Sequence, residues 1–83
     1  MNAERLHKYC IYNKKLIEQS KVCGCFYCQK TFSPKEIVEY TDEDNKKGPT
    51  ALCPYCSIDA VLGDAVGVEI TPKLLKHMNE RYF

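Results

Sequence analysis

The 83-residue sequence predicts a single small α+β domain built around two cysteine pairs, Cys25-Phe26-Tyr27-Cys28 and Cys53-Pro54-Tyr55-Cys56. Helix-type periodicity lies before and after the pairs, and strand-type composition with a polar turn lies between them. A chain of this length buries only about 60–65% of its unfolded surface, so an apolar core alone gives little stability. Small domains of this kind usually add disulfides or a bound metal.

The two C-x2-C pairs supply four thiolates, which is the number of ligands that a tetrahedral structural zinc ion takes. We therefore predict one structural Zn2+ bound by Cys25, Cys28, Cys53 and Cys56. Residues 1–8 contain no apolar signal-peptide core, and no stretch approaches the roughly 18 apolar residues of a membrane span. A cytoplasmic protein without a membrane segment is therefore expected, and its reduced thiols favour metal over disulfides. Disulfide bonding and dithiol redox chemistry are the alternatives.

Two further cysteines and two histidines are candidates that must be weighed against the four ligands. Cys23 forms a C-x4-C spacing with the second cysteine of the first pair, so it could replace Cys25 as a ligand. We expect it instead to be a buried thiol beside the site. Cys10 recurs with the apolar residues of a helix and is expected in the core. His7 or His77 could complete a Cys3His site, but partly exposed side chains are expected at both positions.

The first half of the chain predicts a helix, a cysteine turn and a short capped turn. Gly24 precedes the first cysteine pair, where a tight turn around a metal tolerates little steric bulk. The segment Ser33-Pro34-Lys35-Glu36 is a capping box with proline at the first helical position, so a helical turn is expected there. Residues 3–20 predict an amphipathic helix, with one face formed by Leu6, Tyr9, Cys10, Asn13, Leu16 and Ile17.

The second half predicts a hairpin followed by two helices. Residues 38–41 and 50–52 have strand-like composition, and the polar segment Asp42–Pro49 between them is typical of a hairpin tip. Residues 57–62 predict a helix that ends at Gly63. Thr71-Pro72 predicts the start of a last helix over 71–82, whose apolar stripe is Leu74, Leu75, Met78 and Tyr82.

This order of elements is that of a treble-clef zinc finger: a cysteine turn, a hairpin, and a second cysteine pair that opens a helix. The zinc core would extend over residues 22–63, with added helices over 3–20 and 71–82. The positive end of a helix beginning at Cys53 would stabilise the thiolates of the second pair.

The strings Val22-Cys23-Gly24-Cys25-Phe26-Tyr27-Cys28 and Thr50-Ala51-Leu52-Cys53-Pro54-Tyr55-Cys56 resemble those of a group of small bacterial cytoplasmic proteins of unassigned activity. Members of that group also tend to end in an aromatic residue, as Tyr82-Phe83 does here. The resemblance covers about residues 13–83, and it implies a treble-clef-like zinc site and a bacterial cytosolic setting. The segment Asp42–Pro49 is longer than the turn usual in the group.

Charge and ligand number restrict the function. The formal net charge is +1, and it becomes about −1 when four thiolates and one Zn2+ are counted. This is not the strongly basic balance that by itself gives affinity for a phosphate backbone. Basic residues dominate 1–35 and acidic residues dominate 36–69. Four sulfur ligands leave no open position for a catalytic water, so no catalytic activity is expected.

We therefore expect a protein-interaction or adaptor module whose partner is another protein. The alternative is a nucleic-acid-binding zinc finger, in which Lys21, Lys30 and Lys35 interleave with aromatic side chains around the cysteines. Thiol redox chemistry or zinc sensing is a third interpretation.

Overall fold

The computed structural model describes residues 3–42, 44 and 46–83. Its N-terminal segment contains two short helices, so the single helix predicted over 3–20 is wrong. Helix α1 (Ala3–His7) continues into a 3-10 turn (Lys8–Cys10), and after an irregular break α2 (Lys14–Glu18) begins. At the break, Tyr12 adopts a left-handed backbone with φ of 52°.

The buried side chain of Asn13 explains the break between α1 and α2. Its amide nitrogen donates to the carbonyls of Tyr9 and Val61 at 3.0 and 2.9 Å. Its amide oxygen accepts from the backbone N–H of Ala51 at 3.0 Å. Asn13 therefore satisfies backbone groups of distant segments, and this competes with a continuous helix. The sequence placed Asn13 on the apolar face of a helix, whereas in the structure it links the N-terminal segment to β4 and β5 through hydrogen bonds.

The strands form two separate antiparallel sheets. The first sheet has three strands in the order β2-β1-β5, where β1 is Cys23–Cys25, β2 is Thr31–Phe32 and β5 is Val61–Gly63. The second sheet is the predicted hairpin, in which β3 (Tyr40–Thr41) pairs with β4 (Thr50–Ala51). Residues 43 and 45 of the predicted hairpin tip lie outside the described residues.

The helix predicted over residues 57–62 is wrong, because Val61–Gly63 pairs with β1 as strand β5. Val61 and Leu62 are fully buried there, which suits a short apolar strand that is covered on both faces. Gly63 is required because the side chain of Ser20 occupies the position that a Cβ would take. The small α+β class with antiparallel sheets and a helix is confirmed, whereas the treble-clef order is not.

The C-terminal helix α3 (Pro72–Tyr82) is confirmed, and it packs on the three-stranded sheet. The hydroxyl oxygen of Thr71 caps it by accepting from the N–H of Leu74 at 3.1 Å. The side chain of Leu75 would lie only 2.8 Å from a Cβ at residue 24, so glycine at this position of β1 permits the close approach. In the described part of the chain, no helix combines the length and apolar character needed to cross a membrane.

Candidate metal centre

Residues 25–30 form the first cysteine turn, which is stabilised by hydrogen bonds to the sulfur and to the backbone groups of Cys25. The backbone N–H of Tyr27 donates to the Cys25 sulfur at 3.4 Å, and that of Gln29 donates to the Cys25 carbonyl at 2.7 Å. The N–H of Cys25 donates to the carbonyl of Lys30 at 3.0 Å, which closes the turn. Gln29 completes the reversal with a left-handed backbone, φ 64°.

Residues 53–58 form the second cysteine turn, and it repeats the first bond for bond. The N–H of Tyr55 donates to the Cys53 sulfur at 3.4 Å, and that of Ser57 donates to the Cys53 carbonyl at 2.9 Å. The N–H of Cys53 donates to the carbonyl of Ile58 at 3.0 Å, and Ser57 has φ of 66°. The expectation that the second pair opens a helix is therefore wrong. Turn N–H groups, rather than a helix end, face its sulfur.

The two cysteine turns bring four sulfur atoms together. The Cys25 and Cys56 sulfurs are 3.6 Å apart, as are those of Cys28 and Cys53, and all four lie within 4.8 Å of one another. A disulfide has an S–S bond of about 2.05 Å, so these sulfurs are unbonded, and all six cysteines are free thiols. A tetrahedral site with Zn–S bonds of about 2.3 Å has S–S edges of about 3.8 Å, close to the two shortest separations. The four sulfurs are therefore able to coordinate a metal ion.

Burial controls the protonation of these thiols in the metal-free site. Cys25 and Cys53 are buried, and burial raises the pKa of each thiol although turn N–H groups oppose the shift. Burial also opposes ionisation of Cys28, but the N–H of Lys30 and the neighbouring thiols outweigh it and lower the pKa of Cys28. Four thiolates at this spacing would repel one another. A bound cation is what would allow all four to ionise together.

The other candidate residues lie outside the sulfur cluster. Cys23 is fully buried on β1, and burial together with Asp64 raises its pKa to about 12, so it is a neutral thiol. Cys10 lies in the core as expected. His7 stacks on Tyr82 with ring centroids 4.0 Å apart. Within the described residues the cluster contains cysteines alone, and neither His7 nor His77 belongs to it.

Aromatic side chains were expected around the cysteines, but the contacts of the first cysteine turn with the C-terminal helix were not anticipated from the sequence. Phe26 is buried, and its ring lies 6.2 Å from that of Tyr82 and 5.8 Å from that of Phe83. Asn79 of α3 donates its side-chain amide to the carbonyl of Tyr27 at 2.9 Å. Helix α3 therefore covers the first turn. Two features of the sequence could have predicted these contacts. Phe26 is an aromatic residue inside the first C-x2-C pair, and Tyr82 and Phe83 are aromatic residues at the end of the apolar stripe of α3.

The second cysteine turn is held by the capping box, which is confirmed over the 3-10 turn Pro34–Glu36. The carboxylate of Glu36 accepts from the N–H of Ser33 at 2.8 Å and also from the hydroxyl of Tyr55. These two bonds, that from Tyr55 first, lower the pKa of Glu36. The ammonium group of Lys30 lies 4.7 Å from the centre of the Tyr55 ring. Lys30 of the first cysteine turn and Glu36 of the capping box thus position the side chain of Tyr55 in the second turn.

Comparison with protein-family models, curated proteins and solved structures gives no match. The chemistry open to the site therefore follows from its own geometry. Four sulfur ligands fill a tetrahedral shell, and two of the four cysteines are buried. Such an arrangement suits permanent retention of a metal ion better than exchange of a ligand or binding of a water.

Proposed function

We propose that this chain is a structural-zinc domain that acts as a protein-interaction or adaptor module and has no catalytic activity. The observation that carries the proposal is the pair of equivalent cysteine turns, which hold four sulfurs within 4.8 Å of one another. Tetrahedral four-sulfur sites bind zinc or iron, and a closed shell of cysteines without an open position is typical of structural zinc. The absence of a vacant ligand position in such a shell supports a non-catalytic role.

The connections of the two turns support a structural role for the ion. The first cysteine turn joins β1 to β2, whereas the second leads from β4 of the hairpin to β5 of the three-stranded sheet. An ion between them would cross-link the two sheets, each of which has very short strands. In small domains of this kind the free energy of metal binding is available as free energy of folding.

Exposed aromatic side chains on the two turns support an interaction role. Tyr27 of the first turn is 47% exposed and Tyr55 of the second is 52% exposed. Tyrosine is enriched in protein interfaces, because its ring offers a large contact area and its hydroxyl a hydrogen bond. A metal-anchored turn holds its tyrosine in place before binding, which lowers the entropic cost of association. The favoured partner is therefore another protein.

Nucleic-acid binding is the second candidate, favoured by the exposed rings of Tyr27 and Tyr55 near the basic residue Lys30. It is less well supported, because Lys30 already lies over the Tyr55 ring and Glu36 holds the Tyr55 hydroxyl. A negative carboxylate at that position opposes a phosphate backbone. Retention on heparin or DNA at physiological salt, with steep salt dependence, would favour this candidate.

The proposal is tested by affinity capture with metal analysis of the same sample. The expected result is one zinc ion per chain and a protein partner whose capture is lost when Tyr27→Ser and Tyr55→Ser are combined. Tyr9→Ser is the matched control, since Tyr9 is also an exposed tyrosine but lies outside both turns. A chain purified without chelator that contains no zinc, or equal loss of capture in the control, would overturn the proposal.

A further inference from the structure

The hairpin of β3 and β4 has two outer edges, and the register of the strands decides which backbone groups each edge presents. Tyr40 pairs with Ala51. One position along, the N–H of Leu52 donates to the carbonyl of Glu39 at 3.1 Å. In an antiparallel ladder of this register, the backbone groups of Tyr40 and Ala51 point away from each other. Each outer edge therefore presents N–H and C=O groups that require a partner.

Residues near the start of α2 cover the outer edge of β4. The N–H of Ala51 donates to the amide oxygen of Asn13 at 3.0 Å. The N–H of Lys14 donates to the carbonyl of Pro49, just before β4, at 3.1 Å. This edge is therefore paired within the chain and is closed to a further strand.

The outer edge of β3 differs from that of β4. Its outward backbone groups belong to Val38 and Tyr40, because the residues on either side of Tyr40 direct theirs towards β4. In the part of the chain that the structure describes, no hydrogen bond engages the N–H or C=O of either residue. Val38 is 80% exposed, so solvent reaches this edge. Unpaired backbone groups on an exposed edge are a template for an added strand.

A second copy of this chain is a poor occupant of the β3 edge. An antiparallel pair of these edges that used Val38 and Tyr40 of both copies would place two Glu39 side chains directly opposite each other. Like charges at such a position are destabilising, whereas a lysine or arginine opposite a glutamate is favourable. Glu39 is exposed, so it is available for that favourable pair. The edge therefore suits a foreign strand that carries a basic residue.

The charge around the edge agrees with a basic occupant. Residues 35–47 contain five acidic residues and three lysines, and two of these lysines face α2 across a groove. Lys14 reaches the β3 tyrosine from α2, and Glu18 of the same helix also lies near that ring. Lys30 lies over the tyrosine ring whose hydroxyl donates to Glu36, and so offsets one of the five carboxylates. With all these groups counted, the balance stays negative.

We propose that the β3 edge binds an extended basic segment of a partner protein by strand addition, an inference that rests on the proposed protein-interaction function. The backbone of the segment bonds to Val38 and Tyr40, and a lysine or arginine between its two bonded residues faces Glu39. A hollow of about 40 Å3 borders the edge at Val38 and Glu39 and the second cysteine turn at Pro54. The edge is thus continuous with the surface that carries Tyr55.

The test measures binding of the metal-loaded full chain to a short fluorescent peptide in which lysine alternates with valine, by anisotropy. In a strand the N–H groups of alternate residues lie on one edge, so N-methylation of the valines blocks the edge that would bond to β3. N-methylation of the lysines is the matched control, because it blocks the opposite edge and keeps the charge. A peptide with glutamate in place of lysine and a single-stranded oligonucleotide are the other comparison ligands.

Two pairs of variants test the protein side. Val38→Pro removes one outward N–H, and the preceding Ile37 has φ of −76° and ψ of 120°, which suit a residue before proline. Val38→Thr is its matched control, because it keeps the N–H and a branched side chain. Glu39→Lys reverses the charge that faces the added strand, and Glu80→Lys on α3 changes the net charge equally away from the edge.

The expected result is a Kd that rises about tenfold or more with Val38→Pro or with methylated valines, about threefold or more with Glu39→Lys, and less than about twofold in the matched controls. In hydrogen exchange followed by NMR, the amides of Val38 and Tyr40 should become protected only when the peptide is bound. If Val38→Pro loses metal, the methylated peptides and the unmodified chain give the same comparison.

Several outcomes would overturn the proposal. They are equal binding of the two methylated peptides, equal losses in variants and controls, tighter binding of the glutamate peptide, or no binding by the unmodified chain. A dimer of the unmodified chain that Val38→Pro dissociates would replace the partner segment by a second copy. Tighter binding of the oligonucleotide would replace it by nucleic acid.

Failure of this inference is distinguishable from failure of the proposed function. If the lysine–valine peptide does not bind but capture of a protein still depends on Tyr27 and Tyr55, strand addition is wrong and the interaction role stands. If the peptide binds along β3 but no protein is captured through the two tyrosines, the docking surface is the β3 edge instead of the cysteine turns.

Discussion

Gln29 and Ser57 occupy the same position in the two cysteine turns, and both have a left-handed backbone, with φ of 64° and 66°. Each donates its N–H to the carbonyl of the cysteine that begins its turn. Residues other than glycine seldom adopt this conformation, because the Cβ crowds the backbone. The two turns therefore share one backbone conformation, and in each turn this conformation directs two sulfurs towards the cluster of four.

The first prediction concerns the strain in these turns. Gln29→Gly and Ser57→Gly should each stabilise the metal-loaded domain by up to about 1 kcal/mol, because glycine adopts positive φ without the steric cost. Thermal unfolding followed by circular dichroism measures the effect. Gln19→Gly is the matched control and should destabilise, since Gln19 has a right-handed backbone at the end of α2. Destabilisation by all three glycines would contradict the idea that the turns store strain.

The second prediction concerns the metal. Chelation, or Cys53→Ser, should abolish the cooperative unfolding transition, because an ion bound by the four cysteines would supply much of the free energy of folding in a domain this small. Cys23→Ala is the control: it should keep the metal, since Cys23 lies outside the sulfur cluster. It should lose only about 1–2 kcal/mol through the small cavity that it creates. A chelated chain that still melts cooperatively would show that the ion is not required for folding.

The third prediction concerns pH. Burial, with a contribution from Asp59, raises the pKa of Cys10 from 9.0 to about 11. A raised pKa in the folded state means that the neutral thiol is favoured there, so its stabilising contribution is complete below pH 9 and is lost as pH rises through about 11. Unfolding free energy should therefore decline over that interval, and the decline should be shallower in Cys10→Val. The comparison of the two pH profiles isolates Cys10 from other groups that titrate there. Identical profiles would refute the assignment.

The fourth prediction concerns the polar link at Asn13. Asn13→Leu keeps the side-chain size but leaves the N–H of Ala51 and the carbonyl of Val61 without their partners, at a cost of about 2–4 kcal/mol. Denaturant unfolding of the metal-loaded protein measures the cost. Asn79→Leu is the control and should cost less than about 1 kcal/mol, since its single bond to Tyr27 is exposed. Equal costs would mean that burial does not amplify the loss at Asn13.

Local signals predicted some elements well. The capping box at Ser33 and the Thr71-Pro72 start of α3 were recognisable because their hydrogen bonds join residues three positions apart. The hairpin was recognisable from strand composition around a polar segment. The metal-binding capacity was recognisable because C-x2-C spacing brings two sulfurs together locally, whatever the rest of the fold does.

The remaining elements depend on partners far away in sequence. Asn13 fitted a helical period, but its bonds go to Ala51 and Val61, which no local pattern reveals. Val61 and Leu62 fitted a helix as well as a strand, and only pairing with Gly24 and Cys25 on β1 decides between them. The hydrogen bonds between residues 12–14 and 49–51, which join α2 to β4, also escaped prediction because these segments are far apart in the sequence.

Because the second cysteine turn connects β4 of one sheet to β5 of the other, release of a bound ion would remove a cross-link between the two sheets, together with the free energy of folding that it supplies. Free ion in the cell would then act as a ligand of the native state alone, and the folded fraction would rise with metal supply by mass action. Unfolded chains are substrates for proteases. The abundance of the protein would accordingly follow the zinc status of the cell, even if its gene were expressed at a constant rate.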